Sequence, residues 1–367
     1  MSRSDGPNFE RLKQALLLQG EPDRVPLLEL GVDREVKRAF LKSDKKGMAR
    51  EVEFWVEAGY ESIPIGQGAG LVITGRVGRR DAAGDAFSGA MIQHSGHYSV
   101  HRPGETDRQW MQERKGVITS WEEFEKFPWP NPDELDYAVL DRAAESLPPG
   151  MKIIPLMSTC FPQVSALMGT ETFMLSTYDN PELVARLFQK LGELEYAALE
   201  RVVERPAVGA VWVVGDIAYG EGTLVSPKVL RQHVFPLLKR MVGLAKSKNL
   251  PTLFHSDGKL YEVIEDLIAC GFNAIHPVEP KAMDIGYLKR TYGNRLCLCG
   301  NIDLAYTLTL GSPEEVAEEV KQRLREIAPG GGYCVGSSNS VTEYVPLANF
   351  NAMRQTVLKY GRYPISI

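Results

Sequence analysis

The chain carries eight short runs of apolar residues, separated by longer segments in which polar and apolar positions mix. The runs are VPLLEL (25–30), ESIPIG (61–66), KIIPLMS (152–158), AVWVVGD (210–216), PTLFHSD (251–257), NAIHPVE (273–279), LCLCGN (296–301) and YCVGSSN (333–339). They are continuously apolar instead of alternating, which is typical of strands buried on both faces of a sheet. We therefore predict eight parallel strands.

The segments between the later runs have the pattern of amphipathic helices. Three of them, at 180–204, 226–248 and 312–327, begin with Asn-Pro or Ser-Pro, a capping residue followed by proline in the first turn. Further helices are predicted at 258–270, 284–292 and 343–359. Eight strands that alternate with helices indicate an α/β fold, and we predict a (β/α)8 TIM barrel that forms one domain over residues 1–367.

Two regions interrupt the alternation. Residues 67–118 contain many glycines and arginines and a short alternating stretch, so we predict an inserted hairpin after the second strand. His94, His97 and His101 fall in this insertion, and we expect a solvated hairpin there and not a metal site. Residues 119–150 predict a short helix followed by a proline-rich connection.

Composition narrows the class of protein. The 367 residues include 42 Lys and Arg against 47 Asp and Glu, a net charge of −5, which excludes a general nucleic-acid binder. No apolar run reaches the roughly 18 residues of a membrane span, and the polar start predicts no signal peptide. The five cysteines (Cys160, Cys270, Cys297, Cys299 and Cys334) are few and odd in number, which predicts reduced thiols in a cytoplasmic protein. Cys297 and Cys299 form a C-x-C pair, but their run is apolar and we expect inert core thiols.

Candidate chemistry lies at the ends of the apolar runs, because the active site of a TIM barrel lies at the carboxyl ends of its strands. The polar residues there are Glu29, Ser158, Asp216, His255, Asp257, His276, Glu279, Asn301, Asp303, Ser337, Ser338 and Asn339. Acids and imidazoles recur in this set and lysine is missing from it. Such a cluster suits a divalent metal ion or a pair of acid–base groups.

His255 and Asp257 are the sharpest pair of candidates. Residues two apart in a strand face the same side, so both could bind one metal ion, zinc or a harder cation. The alternative is that Asp257 caps the next helix and His255 is a core histidine. Asp216 and Glu221 follow the fourth predicted strand, where a carboxylate is either a ligand or base or a hydrogen-bond acceptor of the loop.

Four segments together resemble the uroporphyrinogen decarboxylase superfamily and, within it, the corrinoid-dependent methyltransferases. They are VVGDIAYGEGTLVSPKVLRQHVFP, the stretch from LFHSDGKLYEV to LCLCGNID, TLTLGSPEEVAEEVKQRL, and GGGYCVGSSNSVTEYVPLANFNAM. The resemblance implies a (β/α)8 barrel, in agreement with the strand count. Members are often dimers, and the sequence leaves a homodimer open.

Departures from the family pattern decide the branch. The decarboxylases have an arginine-rich segment after the first strand for the porphyrin carboxylates, which Arg34, Lys37 and Arg38 do not reproduce. The thiol-using methyltransferases hold zinc with His-x-Cys at the fifth strand and a cysteine at the eighth. The matching positions here are His255-x-Asp257 and Asn339. The resemblance therefore implies a metal site at the same position in the barrel, with no sulfur ligands.

A ligand set of histidine, carboxylates and asparagine leaves a bound metal a stronger Lewis acid, which suits an ether oxygen as leaving group. The resemblance therefore implies an O-demethylase methyltransferase, which moves the methyl group of a small methoxylated, aromatic compound to the cobalt of a partner corrinoid protein. The implied roles are catalysis by Asp216, Glu221 and His255, zinc binding by His255, Asp257 and Glu221, and substrate binding by Glu29, His276, Ser337 and Asn339.

Two other functions stay open. The first is a metal-independent decarboxylase of a carboxylated aromatic or tetrapyrrole, with Asp216 or His255 as acid–base group; it would release carbon dioxide without a corrinoid. The second is a binding or carrier protein that has lost the zinc thiolates. Against the carrier, a desolvated charged cluster costs stability and is not expected in a merely structural barrel.

Overall fold

The computed structural model describes residues 6–66, 98–99, 109–110 and 116–367. Its strands are β1 (Ser62–Ile65), β2 (Tyr98–Ser99), β3 (Gln109–Trp110), β4 (Lys152–Ser158), β5 (Val211–Val214), β6 (Ala218–Tyr219), β7 (Gly222–Thr223), β8 (Thr252–His255), β9 (Ala274–His276), β10 (Cys297–Cys299) and β11 (Tyr333–Cys334). Seven strands form one parallel sheet in the order β1-β4-β5-β8-β9-β10-β11. The predicted parallel α/β fold is thereby confirmed.

The first apolar run, 25–30, lies beside the last strand of this sheet. Leu27 forms a parallel bridge with Val335, and the backbone N–H of Leu28 donates to the Val335 carbonyl at 2.9 Å. Farther along, Val32 bridges Val341 in the same direction. All eight predicted runs thus take part in parallel pairing, seven as ladder strands and the first through single bridges.

Helices follow the strands as the pattern predicts. They are α1 (Phe9–Leu16), α2 (Arg34–Phe40), α3 (Gly47–Ala58), α4 (Trp121–Lys126), α5 (Ala138–Ser146), α6 (Phe161–Met168), α7 (Thr170–Asp179), α8 (Pro181–Val202), α9 (Pro227–Val229), α10 (Phe235–Ser247), α11 (Ile264–Cys270), α12 (Ile285–Tyr292), α13 (Pro313–Glu326) and α14 (Leu347–Tyr360). A π-helical turn, Leu230–Val234, joins α9 to α10. Across the described ranges, no helix combines the length and the apolar character that crossing a bilayer requires.

Two of the predicted helix starts carry the expected caps. The side chain of Asn180 accepts from the N–H of Leu183, and Ser312 forms a reciprocal capping box with Glu315. Ser226 makes no side-chain cap, although Pro227 does begin its helix. Proline in the first turn alone fixes that start, because its missing N–H would be unsatisfied there anyway.

The barrel interior is apolar, and α1 covers it at the amino-terminal ends of the strands. Phe9 and Leu12 of α1 join one buried cluster with inward-facing side chains from β4 to β11. The N–H of Phe9 donates to the carbonyl of Gly150, just before β4. A Cβ on Gly209, just before β5, would lie 2.6 Å from the Phe9 ring, so only glycine allows this approach.

A buried ion pair fixes α1 to the start of the sheet. The carboxylate of Glu61, directly before β1, is fully buried and accepts from Arg11 of α1 at 2.8 Å and from Arg24 at 2.9 Å. An unpaired carboxylate at this depth would cost several kcal/mol, so the two arginines are needed as partners.

Most of the predicted insertion, residues 67–118, lies outside the described residues, together with His94, His97 and His101. Within it, β2 and β3 form a two-residue antiparallel pair. The hairpin therefore stays a prediction. Between 119 and 150, the short predicted helix is α4, but the proline-rich connection also contains α5, whose buried Val139, Leu140 and Ala143 give it an apolar face.

Candidate active site at the carboxyl ends of the strands

Two carboxylates and one imidazole meet where β5 and β8 end. The Nε2 atom of His255 lies 3.7 Å from the Asp216 carboxylate and 4.0 Å from that of Asp257. One oxygen or nitrogen from each of the three residues lies within 4.8 Å of the others. The backbone N–H of Asp257 donates to Asp216 at 2.8 Å, which holds the two loops together. We call these three residues the acid–imidazole cluster.

A second histidine orients the first. His255 and His276 are register partners on β8 and β9, and their Nδ1 atoms lie 2.8 Å apart, so one nitrogen carries the proton and the other accepts it. Burial lowers the pKa of His255, an effect that the charge of Asp216 opposes, and burial together with His255 lowers the pKa of His276 still further. Both rings are therefore neutral near pH 7. When His255 donates from Nδ1, its Nε2 presents a lone pair to the two carboxylates.

Asp257 is the most perturbed member of the cluster. Burial, the charge of Asp216 and that of Glu279 raise its pKa to about 7, and the hydrogen bond from Asn339 opposes them. One oxygen accepts from the Asn339 amide at 2.5 Å, whereas the other is buried and has no hydrogen-bond partner. A buried oxygen without a partner costs about 1–3 kcal/mol and points to a missing ligand.

The donor set fits a divalent metal ion. Asp216, His255 and Asp257 supply oxygen and nitrogen atoms in one small space, and two carboxylates balance a double positive charge. The unpartnered oxygen of Asp257 and the Nε2 atom of His255 would both coordinate the ion. His276, through Nδ1, would fix the ring of His255 as outer-shell partners commonly do.

Glu221, predicted as a ligand and catalytic group, lies elsewhere. It is exposed in the turn between β6 and β7 and is absent from the group that brings Asp216, His255 and Asp257 together. The antiparallel β6–β7 pair turns the loop after β5 outward, which the sequence spacing did not indicate. In this conformation the residues that could hold a metal ion together are Asp216, His255 and Asp257.

A cavity of about 460 Å³ opens beside Asp257. Its walls are formed by the loops that follow β8 to β11, and they consist of Asp257, Glu279, Lys281, Asp303, Leu304, Ala305, Thr309, Leu310, Ser338, Asn339 and Tyr344. The volume is that of a pocket for a small organic molecule. Of the four predicted substrate-binding residues, Asn339 is in this wall, whereas Glu29, His276 and Ser337 are buried and are not.

Lys281 and Tyr344 also line the cavity, but the strand-end pattern does not reveal them, because both come from loops and follow no apolar run directly. Glu279 stood among the strand-end acids but was given no role; its carboxylate accepts from the N–H of Gly258 at 3.1 Å. The strand-end Asn301 is structural, since its amide donates to the Val278 carbonyl and accepts from Arg323.

Glu29 and Ser337 bind each other across the junction of the first run and the last. The backbone N–H and the hydroxyl of Ser337 each lie 2.7 Å from a Glu29 oxygen. Burial raises the pKa of Glu29 to about 8, although both contacts with Ser337 lower it. Glu29 is thus a neutral acid at pH 7, and Ser337 holds it in place.

We expect the Glu29→Gln variant to be more stable than the wild type above pH 8, by roughly 5 kcal/mol, and by only about 1 kcal/mol near pH 5. The folded-state pKa of about 8 exceeds that of an unfolded glutamate, so the wild type loses stability as pH rises from about 4 to about 8. Urea unfolding at pH 5 and pH 9 measures this difference. Equal pH dependence in both proteins would contradict the buried neutral acid.

A family model described as uroporphyrinogen decarboxylase (URO-D) matches residues 114–360. A methylcobamide:CoM methyltransferase (MtaA) of Methanosarcina barkeri is 27% identical over 57% of this chain and 58% of its own length. A methylated-thiol–coenzyme M methyltransferase of Methanosarcina mazei is 24% identical over 55% of this chain and 52% of its own. A uroporphyrinogen decarboxylase of Coxiella burnetii is 25% identical over 53% of each.

The chain thus spans little more than half the length of these curated relatives. A solved structure titled as a methyltransferase from Methanosarcina mazei superposes with a TM-score of 0.66 and 19% identity. The superposition covers 95% of this chain and 98% of that one, which confirms the fold over almost the whole length.

Proposed function

This chain belongs to the uroporphyrinogen decarboxylase (URO-D) family, and on that premise we propose that it is a methyltransferase that demethylates a small methoxylated, aromatic compound. The methyl group passes to the cobalt of a corrinoid on a partner protein. The observation that carries the proposal is the acid–imidazole cluster, with its unpartnered Asp257 oxygen, at the edge of a cavity of ligand size.

The names of two relatives concern methyl transfer with a methylcobamide or a methylated thiol. This chain differs from the thiol-using pattern, because the donors of the cluster are oxygen and nitrogen and the described residues of the cavity wall include no cysteine. Hard donors suit an oxygen leaving group better than a sulfur one. An ether is therefore the better substrate class.

The reaction breaks one O–CH3 bond. The methyl group leaves without the bonding electrons and is taken by the two-electron nucleophile cobalt(I), while the oxygen keeps the pair and gains one proton. An unassisted phenoxide leaves poorly, so the protein has to stabilise the developing negative charge or protonate it.

The residues present divide this task. Asp257, with a pKa of about 7, can carry the proton to the leaving oxygen, and Asn339 holds its other oxygen in place. His255 lies between the two carboxylates and is oriented by His276. If a zinc ion were held by Asp216, His255 and Asp257, Asp257 would be an ionised ligand, and the Lewis acidity of the ion would take the place of that proton.

The test is anaerobic methyl transfer to a reduced corrinoid protein from a panel of methoxyarenes. We expect the absorption of cobalt(I) to be replaced by that of methylcobalt, with one phenol released per methyl. The matched ethoxyarenes and reactions without enzyme are the controls. Absence of methylcobalt with every methoxyarene would overturn the proposal. A homodimer and a single domain over residues 1–367 stay predictions that sedimentation and limited proteolysis can check.

A decarboxylase is the second candidate, since one relative carries that activity in its name. Against it, Arg34, Lys37 and Arg38 line a different cavity from Asp257, with no shared residue in the two walls. A polycarboxylate in the Asp257 cavity would meet Asp257, Glu279 and Asp303 with Lys281 as its one cation among the described wall residues. Release of carbon dioxide without a corrinoid would favour this candidate.

A further inference from the structure

Three cysteines converge inside the barrel, away from the acid–imidazole cluster. The Cys297 sulfur lies 4.0 Å from that of Cys299 and 3.9 Å from that of Cys334, and all three are fully buried. We call them the thiol cluster. The apolar run predicts buried, inert thiols for the C-x-C pair. Their burial is as predicted, but a third sulfur joins the pair from the neighbouring strand.

Strand geometry produces this convergence. Cys297 and Cys299 are two residues apart on β10, so both side chains point to the barrel interior. Cys334 is the register partner of Cys299 on β11. The two remaining cysteines, Cys160 and Cys270, have no second sulfur within such a group in the described part of the chain.

The spacing matches a three-coordinate metal–thiolate site. All three sulfurs lie within 4.8 Å of one another. With two edges near 4 Å, the point equidistant from them is about 2.3–2.5 Å from each sulfur, close to a metal–thiolate bond of about 2.3 Å. A metal ion at this point would need little movement of the backbone.

A positive charge lies close to the cluster. The ammonium of Lys289 donates to the Gly331 carbonyl at 2.5 Å and interacts with Cys297. Burial by itself raises the pKa of the Cys297 thiol. The contacts from Cys299 and Cys334 and the charge of Lys289 outweigh burial and lower the pKa to about 5.

From these contacts we propose that Cys297, Cys299 and Cys334 bind one soft, closed-shell metal ion, Cu(I), as a trigonal thiolate site in the barrel interior. Thiolates select soft ions, and no histidine or carboxylate joins the three sulfurs within the described residues. Zinc prefers a fourth ligand, which this apolar interior does not offer. Binding releases the thiol protons of the three cysteines to solvent, and the bound ion links β10 to β11.

The test uses the whole protein, purified anaerobically, with Cu(I) as the probe and a chromophoric Cu(I) chelator as competitor. We expect one copper per chain and X-ray absorption that shows three sulfur neighbours and no nitrogen or oxygen. Since the sulfurs are fully buried, loading is expected to be slow in the folded protein and rapid when copper is present during refolding.

Variants separate the thiol cluster from other sites. Cys334→Ser is expected to weaken copper binding at least 100-fold. Cys270→Ser is the matched control, a single buried cysteine outside the cluster, and should bind copper like the wild type. His255→Ala should also retain copper, which makes this outcome independent of the methyltransferase assay.

The proposal is overturned if wild-type protein loses Cu(I) to the competitor after refolding with it. It is also overturned if X-ray absorption shows nitrogen or oxygen at the copper, or if folded Cys334→Ser binds as tightly as Cys270→Ser. The spectrum of the wild type decides the question even where a cysteine variant fails to fold.

Discussion

Replacing His255 by alanine is expected to lower the rate of methyl transfer from a methoxyarene by about 10³-fold. Its Nε2 lies 3.7 Å from the Asp216 carboxylate and 4.0 Å from that of Asp257, so the variant loses either a metal ligand or the imidazole that faces both carboxylates. Single-turnover formation of methylcobalt measures the rate, and elemental analysis of the same samples measures bound zinc. Near one zinc per chain in the wild type and none in the variant would assign the loss to metal binding.

His233→Ala is the matched control. His233 stacks on Phe188 from the π-helical turn, at a ring distance of 5.6 Å, and takes no part in the acid–imidazole cluster. This control should keep its rate within about threefold, since it loses packing and no reacting group. A His255→Ala protein as active as the His233→Ala protein would remove the cluster from catalysis altogether.

The second large effect concerns Asp257→Asn, for which we expect activity to fall 10²-fold or more while stability rises. The amide can keep a hydrogen bond with Asn339 but can neither give up a proton nor hold a metal as an anion. In protein freed of metal by a chelator, we expect the free energy of unfolding to rise by about 1–2 kcal/mol at pH 8 and to change little at pH 5.

The sign follows from the raised pKa. Asp257 has a folded-state pKa of about 7, against about 3.9 in an unfolded chain, so wild-type stability falls as pH rises from about 4 to about 7. Asparagine does not titrate, so the stability of the variant does not fall in this way as pH rises. The full shift would correspond to about 4 kcal/mol, but the side chain is 31% exposed, so solvent screening reduces the effect to half or less.

Asp284→Asn is the control for this variant. Asp284 is an exposed N-cap whose side chain accepts from the backbone N–H of Tyr287. Asparagine caps a helix about equally well, so the stability difference between the Asp284→Asn variant and the wild type should be the same at both pH values. Urea unfolding at pH 5 and 8 in the presence of a chelator measures the free energy of unfolding of the wild type and of both variants. If metal-free Asp257→Asn were less stable than the wild type at pH 8, ionised Asp257 would not destabilise the fold as proposed. With zinc added, we expect the variant to be less stable than the wild type.

Much of this site follows from the pattern of strand ends. Continuous apolar runs locate the strands of the sheet, and parallel strands place their carboxyl ends on one edge. Hence Asp216, His255 and Asp257 come together although 41 residues separate the first from the last. The resemblance to a family placed Asn339 at the same site, and its hydrogen bond to Asp257 agrees with that placement.

Other features depend on register and loop shape, which periodicity does not contain. The β6–β7 pair turns Glu221 away from the cluster, and the bridge between Leu27 and Val335 buries Glu29 against Ser337 instead of exposing both to a substrate. Cys334 meets Cys299 only because β10 and β11 pair in one particular register. A shift of two residues that placed Cys334 beside Asn301 would have preserved every buried face and separated Cys334 from the other two sulfurs.

Helix α1 leaves the ribosome before any strand of the sheet, yet it packs against side chains from β4 through β11. Its partners are therefore complete only after nearly the whole chain has been made, and the barrel core stays accessible from that end during synthesis. Docking of α1 is then a late folding event. Since loading of the folded protein is expected to be slow, a metal ion would reach the thiol cluster fastest before α1 docks. Metal supply during translation, more than the affinity of the folded protein, would then set how many molecules carry the ion.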